Sequence, residues 1–123
     1  MKYNITKGEK YTIFKIEEDR LDAVVSPEVK SHMIIFKSEG IRNIIIDLQE
    51  VKYADSSGLS AILTANRVCK EQNGILILSN VSEQVQKLLE ITQLHRVIEL
   101  IPTNEEAIDR VFLHEVENDL GEE

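Results

Sequence analysis

A single cysteine, Cys69, in a chain of 123 residues leaves no possibility of an internal disulfide framework. Long hydrophobic runs are also missing. No stretch approaches the roughly 18 consecutive apolar residues of a membrane span, and Met1-Lys2-Tyr3-Asn4-Ile5 lacks the apolar block of a secretory signal. These absences point to a cytoplasmic protein. Positive charge is scarce: 14 basic residues face 22 acidic ones, for a net charge of −8. Nucleic-acid binding draws most of its affinity from neutralised phosphates, and this chain has no basic cluster to supply it. Anionic membrane surfaces are disfavoured for the same reason.

The motifs of common chemistries are missing too. No Cys-x-x-Cys, His-x-x-x-His or calcium-loop spacing occurs, so no metal site is expected. Neither phosphate-cradling glycine loop is present, so no nucleotide cofactor is expected. The Gly-x-Ser-x-Gly elbow of serine hydrolases is absent, and His32, His95 and His114 are scattered over different expected elements. No catalytic residue is assigned.

What is present is an alternation of strands and helices. Tyr3–Thr6 and Tyr11–Ile16 are β-favouring runs around a Lys7-Gly8-Glu9-Lys10 turn, which reads as an N-terminal hairpin. Residues 17–25 read as a loop. Ser26-Pro27-Glu28 looks like a helix start, with Ser26 as cap, and Gly40 ends that helix. Ile44-Ile45-Ile46 suggests a strand covered on both faces, as in a parallel sheet. A second helix runs to about Gln72, with Leu59, Ile62, Leu63, Asn66 and Cys69 on one stripe, and Asn73-Gly74 stops it.

Ile75–Leu78 is the next buried strand, and residues 81–91 form a third helix. Val97–Ile101 is the last strand, followed by a final helix whose apolar side is Ala107, Ile108, Val111 and Phe112. The expected fold class is a single α/β domain with a small, mostly parallel mixed sheet and about four surrounding helices. The domain is expected to span residues 1–114. Residues 115–123, with five acids among nine residues, read as a mobile acidic tail.

The most telling stretch is Tyr53-Ala54-Asp55-Ser56-Ser57-Gly58-Leu59-Ser60. A carboxylate and two hydroxyls stand at a helix N-terminus, where N–H groups are unpaired and the dipole favours negative charge. Asp55, Ser56 or Ser57 would serve as an ordinary cap. Two adjacent hydroxyls exceed what a cap needs, and helical neighbours point about 100° apart, so one serine faces out while the other faces in. Gly58 in the first turn costs about 1 kcal/mol against alanine, and its bareness lets another backbone approach. Asp22 and Asp55 both follow apolar segments, and either cap their loops or form a carboxylate pair. Asp47 could imitate the phosphate acceptor of a receiver domain, but the acidic pair and lysine such a domain needs are missing.

These residues resemble the STAS family, in particular bacterial anti-sigma-factor antagonists. The likeness runs from about Lys10 to Val111. It is sharpest at Ile44-Ile45-Ile46-Asp47-Leu48, followed by Val51, Tyr53 and Asp55-Ser56-Ser57-Gly58-Leu59, with Arg20-Leu21-Asp22-Ala23 as a second segment. The resemblance implies partner switching. The unmodified protein binds an anti-sigma factor that is a serine kinase, and the sigma factor is released. Phosphorylation of Ser56 ends binding, and a phosphoserine phosphatase restores it.

The partner-binding residues carried over are Asp22, Asp55, Ser56, Ser57, Gly58 and Leu59. Ser60 stands where the family usually has glycine. Other members are constitutive adaptors in lipid-transport or stress-sensing complexes, which is the alternative function.

Overall fold

The computed structural model describes residues 1–121. The elements are β1 (Tyr3–Lys7), β2 (Thr12–Ile16), β3 (Arg20–Leu21), α1 (Ser26–Ser38), β4 (Ile44–Asp47), β5 (Tyr53–Ala54), α2 (Ser56–Glu71), β6 (Leu76–Ser79), α3 (Glu83–Ile91), a 3-10 turn (Leu94–Arg96), β7 (Glu99–Ile101) and α4 (Asn104–Gly121). Five strands form one sheet in the order β1-β2-β4-β6-β7. The hairpin pair β1–β2 is antiparallel, and every other pair in that sheet is parallel. This is the expected mixed, mostly parallel α/β architecture with four helices.

Strand periodicity divides the core into two layers. Ile44 and Ile46 of β4, with Leu76 and Leu78 of β6, join the large cluster that also holds residues of α1, α2 and α3. Ile45 and Ile77 point the other way and meet Ala107 and Val111 of α4. The run of three isoleucines is therefore buried on both sides, because helices cover both faces of the central strands.

Several local expectations change. The segment expected to be only loop contains β3, which pairs in parallel with β5 as a separate two-stranded sheet. Ser26 does not cap α1. Val25 holds the cap position without a side-chain bond, while the Asp22 carboxylate accepts from the N–H groups of Val24 and Val25 at 3.0 and 3.3 Å. Leu63 and Phe112 lie outside the apolar stripes and are exposed, because their helices bury Ala61, Ala65 and Val68, and Ala107 and Val111, instead. At the end of α2 it is Asn73, with φ of 61°, that takes the left-handed conformation. Gly74 has a different role: a Cβ there would run into the carbonyl of Arg42.

The expected tail boundary at residue 115 is not where the helix ends. Helix α4 continues to Gly121, and Glu115 falls on its buried face, four residues beyond Val111. The Glu115 carboxylate accepts from Arg42 at 2.5 Å and from Asn43 Nδ2 at 2.9 Å, which ties α4 to the start of β4. Residues 122 and 123 lie outside the described residues.

Burial opposes ionisation of Glu115. The hydrogen bonds from Arg42 and Asn43, with the nearby charges of Arg42 and Lys10, outweigh it and hold the carboxyl below its usual range. A carboxyl depressed by folding stabilises the fold fully above its unfolded pKa, about 4.3, and loses that contribution as pH falls through the lower folded value. Glu115→Gln is expected to cost about 1 kcal/mol in urea unfolding at pH 7. The difference from the parent shrinks as the pH is taken below about 4. A gap that stays constant down to acid pH would remove the charged pair from this account.

Cys69 is buried on α2, and burial pushes its thiol up to about 12, against a smaller opposing bond with the Ile44 backbone. A thiol so far from ionisation is a poor nucleophile, which fits its place as a small core side chain.

Candidate functional site

The short β3–β5 sheet builds the site. Its register pairs Arg20 with Tyr53 and Leu21 with Ala54. Asp22 and Asp55 follow directly and so emerge at the same end. Each carboxylate is engaged locally. Asp55 caps α2, its Oδ1 accepting from the N–H groups of Ser57 at 2.9 Å and Gly58 at 3.1 Å. Asp22 Oδ1 holds the turn into α1, and its Oδ2 lies 3.5 Å from Arg20 Nε. Arg20 in turn lies over the Tyr53 ring, 4.2 Å from its centroid. The two aspartates are thus the caps of neighbouring loops, with no shared-proton geometry between them.

Ser56 is the first residue of α2 and is exposed; Ser57 is half-buried. The ambiguity between adjacent hydroxyls resolves in favour of Ser56 as the accessible one. It opens onto a cleft of about 350 Å³ between α1 and α2, lined by Ala23, Ser26, Pro27, Lys30, Ser57 and Ser60. Lys30 is the only cation lining this cleft, and it makes no ion pair among the described residues.

Two of the expected contact residues are placed differently. Gly58 and Leu59 are buried, so neither is on the surface that a partner would meet. The backbone that approaches Gly58 is the protein's own: a Cβ there would overlap the carbonyl oxygen of Leu21, which also accepts the Asp55 N–H at 3.3 Å. Gly58 is needed so that β3 can lie against the start of α2. Gly58→Ala is expected to lose about 2 kcal/mol of stability. Overpacking against backbone costs up to about 3 kcal/mol, and the better helix propensity of alanine returns about 1 kcal/mol. A thermal melt of Gly58→Ala at or above that of the parent would refute the close packing.

The sequence reading missed part of this surface. Val24, next to Asp22, is 82% exposed and offers an apolar contact. Lys30 lines the cleft of the serines, and the Arg20–Tyr53 stack lies on the two strands that lead into Asp22 and Asp55. A cluster at the ends of β4 and β6 bears on the receiver-domain rival. Asp47 is buried there, and its carboxylate accepts from Gln49 N–H, Asn80 Nδ2 and Asn104 Nδ2. A carboxylate enclosed by amide donors cannot take the role of an exposed phosphate acceptor. Among the described residues no cluster of three or more metal-ligating side chains occurs, and no helix is long and apolar enough to cross a membrane.

Fold and site together define a small α/β domain that presents a capped helix start, with an exposed serine, at one end of its sheet. The chain belongs to the STAS domain family, whose model matches residues 2–107. It is 36% identical over 81 residues to the anti-sigma-B factor antagonist of Listeria monocytogenes, an alignment covering 65% of this chain and 70% of that protein. Its fold matches the crystal structure of a putative anti-sigma factor antagonist from Thermotoga maritima, with TM-score 0.84, 22% identity and coverage of 89% and 93% of the two chains. It also matches the Bacillus protein SpoIIAA in its phosphorylated form, with TM-score 0.70, 23% identity and coverage of 89% and 99%.

Proposed function

We propose that this protein is an anti-sigma factor antagonist. Its unphosphorylated Ser56 surface binds an anti-sigma factor with serine kinase activity, and the sigma factor is released. Phosphate on Ser56 ends the association, and a phosphoserine phosphatase restores it. On this reading the protein works in the cytoplasm. The contact surface consists of Asp22, Asp55, Ser56 and Ser57, extended by Val24, Arg20, Tyr53 and Lys30.

The observation that carries this reading is the exposure of Ser56 at the first position of α2, beside a carboxylate that already caps the helix. The helix start is complete without the Ser56 hydroxyl, because Asp55 supplies the capping bonds. The hydroxyl is therefore free for modification. The antagonist relatives support the role, and the phosphorylated form of SpoIIAA supports a phosphate-bearing state for a protein of this fold.

The test is direct. The protein is incubated with ATP and an anti-sigma factor of the serine-kinase type, and its mass is measured. One phosphate is expected on the parent and none on Ser56→Ala. A constitutive adaptor would take no phosphate, and phosphate on a different residue would also refute the assignment.

A further inference from the structure

Helix α4 carries two apolar faces. One holds Ala107, Val111 and the paired Glu115 and packs on the sheet. The other points to solvent: Phe112, Leu113, Val116 and Leu120 are all exposed, Val116 by 53% and Leu120 by 64%. Their spacing of three and four residues lines them up as one crest over the last turns of the helix. Solvated helices normally carry polar residues there, so four large apolar side chains in line mark a contact surface.

The surroundings of the crest say what would cover it. Asp109, Glu117 and Asp119 border it and are exposed. Helix α4 as a whole has six acids against one arginine and contains no lysine. Arg110 flanks this border on one side, engaged bidentately with Glu99 and 3.9 Å from Glu117, which leaves Asp109 and Asp119 as its unpaired acids among the described residues. A second copy of this chain would bring the same acidic border against itself, in a protein already at −8. A helix with apolar anchors flanked by lysine or arginine would match both the crest and its border.

We propose that the crest of α4 is a docking surface for a basic amphipathic helix of another protein. The surface is separate from the Ser56 site, because α4 packs on one face of the sheet while α2 packs on the other. Both could therefore be occupied at once, and the state of Ser56 would not control the crest.

The probe is a peptide of about five helical turns built from leucine and lysine at helical spacing. Its counterpart has glutamate in place of lysine. Each is titrated into the isotope-labelled full chain and followed by NMR. The lysine peptide is expected to shift the amides of Phe112 to Leu120, more weakly as salt rises, and the glutamate peptide is not. Val116→Lys with Leu120→Lys is expected to lower the affinity roughly tenfold or more. Val116→Ala with Leu120→Ala should act in the same direction, and Ser56→Asp should leave binding unchanged. Shifts centred away from α4, or unchanged affinity in both double variants, would overturn the proposal. So would a dimer of the parent that the double variants abolish, because the crest would then be a self-contact.

Discussion

Ser56→Asp is expected to weaken binding to the anti-sigma kinase by roughly 100-fold, about 2.7 kcal/mol, while leaving the fold intact. Phosphoserine, with about −1.5 to −2 charges, is expected to do at least as much. The charge would be added beside Asp55, near Asp22, in a chain with an excess of eight negative charges. In a close interface it must also lose water without gaining a partner designed for it. Within the free protein the cost is small. The start of α2 favours negative charge by about 0.3–1 kcal/mol, and Lys30 lines the same cleft. The free domain is thus expected to accommodate the phosphate, and the proposed complex is not.

Calorimetric titration separates the two effects. Ser56→Ala should bind within a few-fold of the parent, because Asp55 rather than Ser56 caps the helix. Ser56→Asp should melt within about 1 kcal/mol of the parent and bind poorly. If Ser56→Asp binds as the parent does, the electrostatic switch is wrong, whatever the identity of the kinase. Ser60 lines the same cleft. Its hydroxyl narrows the space open to a partner, so Ser60→Gly is the variant that would widen partner choice.

The parts of this structure legible in the sequence are those governed by local pattern. Ile44-Ile45-Ile46 and Ile75–Leu78 announce doubly covered strands, because apolar residues at every position need cover on both faces. The Asp55-Ser56-Ser57 run announces a cap without saying which residue forms it, and Asp55 does. The illegible parts are non-local. β3 and β5 are two residues each, too short for a period, and each becomes a strand only because it meets the other.

Burial of Gly58 follows from that same meeting, and Leu59 joins the main core, so a motif that reads as one exposed surface is half scaffold. Glu115 resembled the acids after it, and its burial required Arg42 and Asn43, more than seventy residues away. The one local sign was its position four residues after Val111, on the stripe that Ala107 begins.

The largest stability effect is expected at Asp47, outside the proposed binding surface. Its carboxylate accepts Gln49 N–H at 3.0 Å, Asn80 Nδ2 at 3.1 Å and Asn104 Nδ2 at 3.0 Å. These bonds join the end of β4 to the loop after β6 and to the first residue of α4. Asp47→Ala strands three donors in a site with almost no solvent. Hydrogen bonds to a charged group contribute about 1.5–3 kcal/mol each, but they do not add within one network. Removal of the buried charge also relieves its own desolvation. The net loss expected is about 3–5 kcal/mol, a large share of the roughly 5–15 kcal/mol that holds a domain folded.

Asp47→Asn is the sharper test, because it keeps the shape. An asparagine presents one acceptor and one donor group, whereas all three neighbours at this site are donors. With Asn104 in its present orientation, held by Ser79, one N–H would face another, so the near-isosteric change should still cost about 1–3 kcal/mol in urea unfolding. Asp47→Asn as stable as the parent would mean that the site needs only an amide-sized group. The carboxylate would then not be what anchors α4 across the end of the sheet.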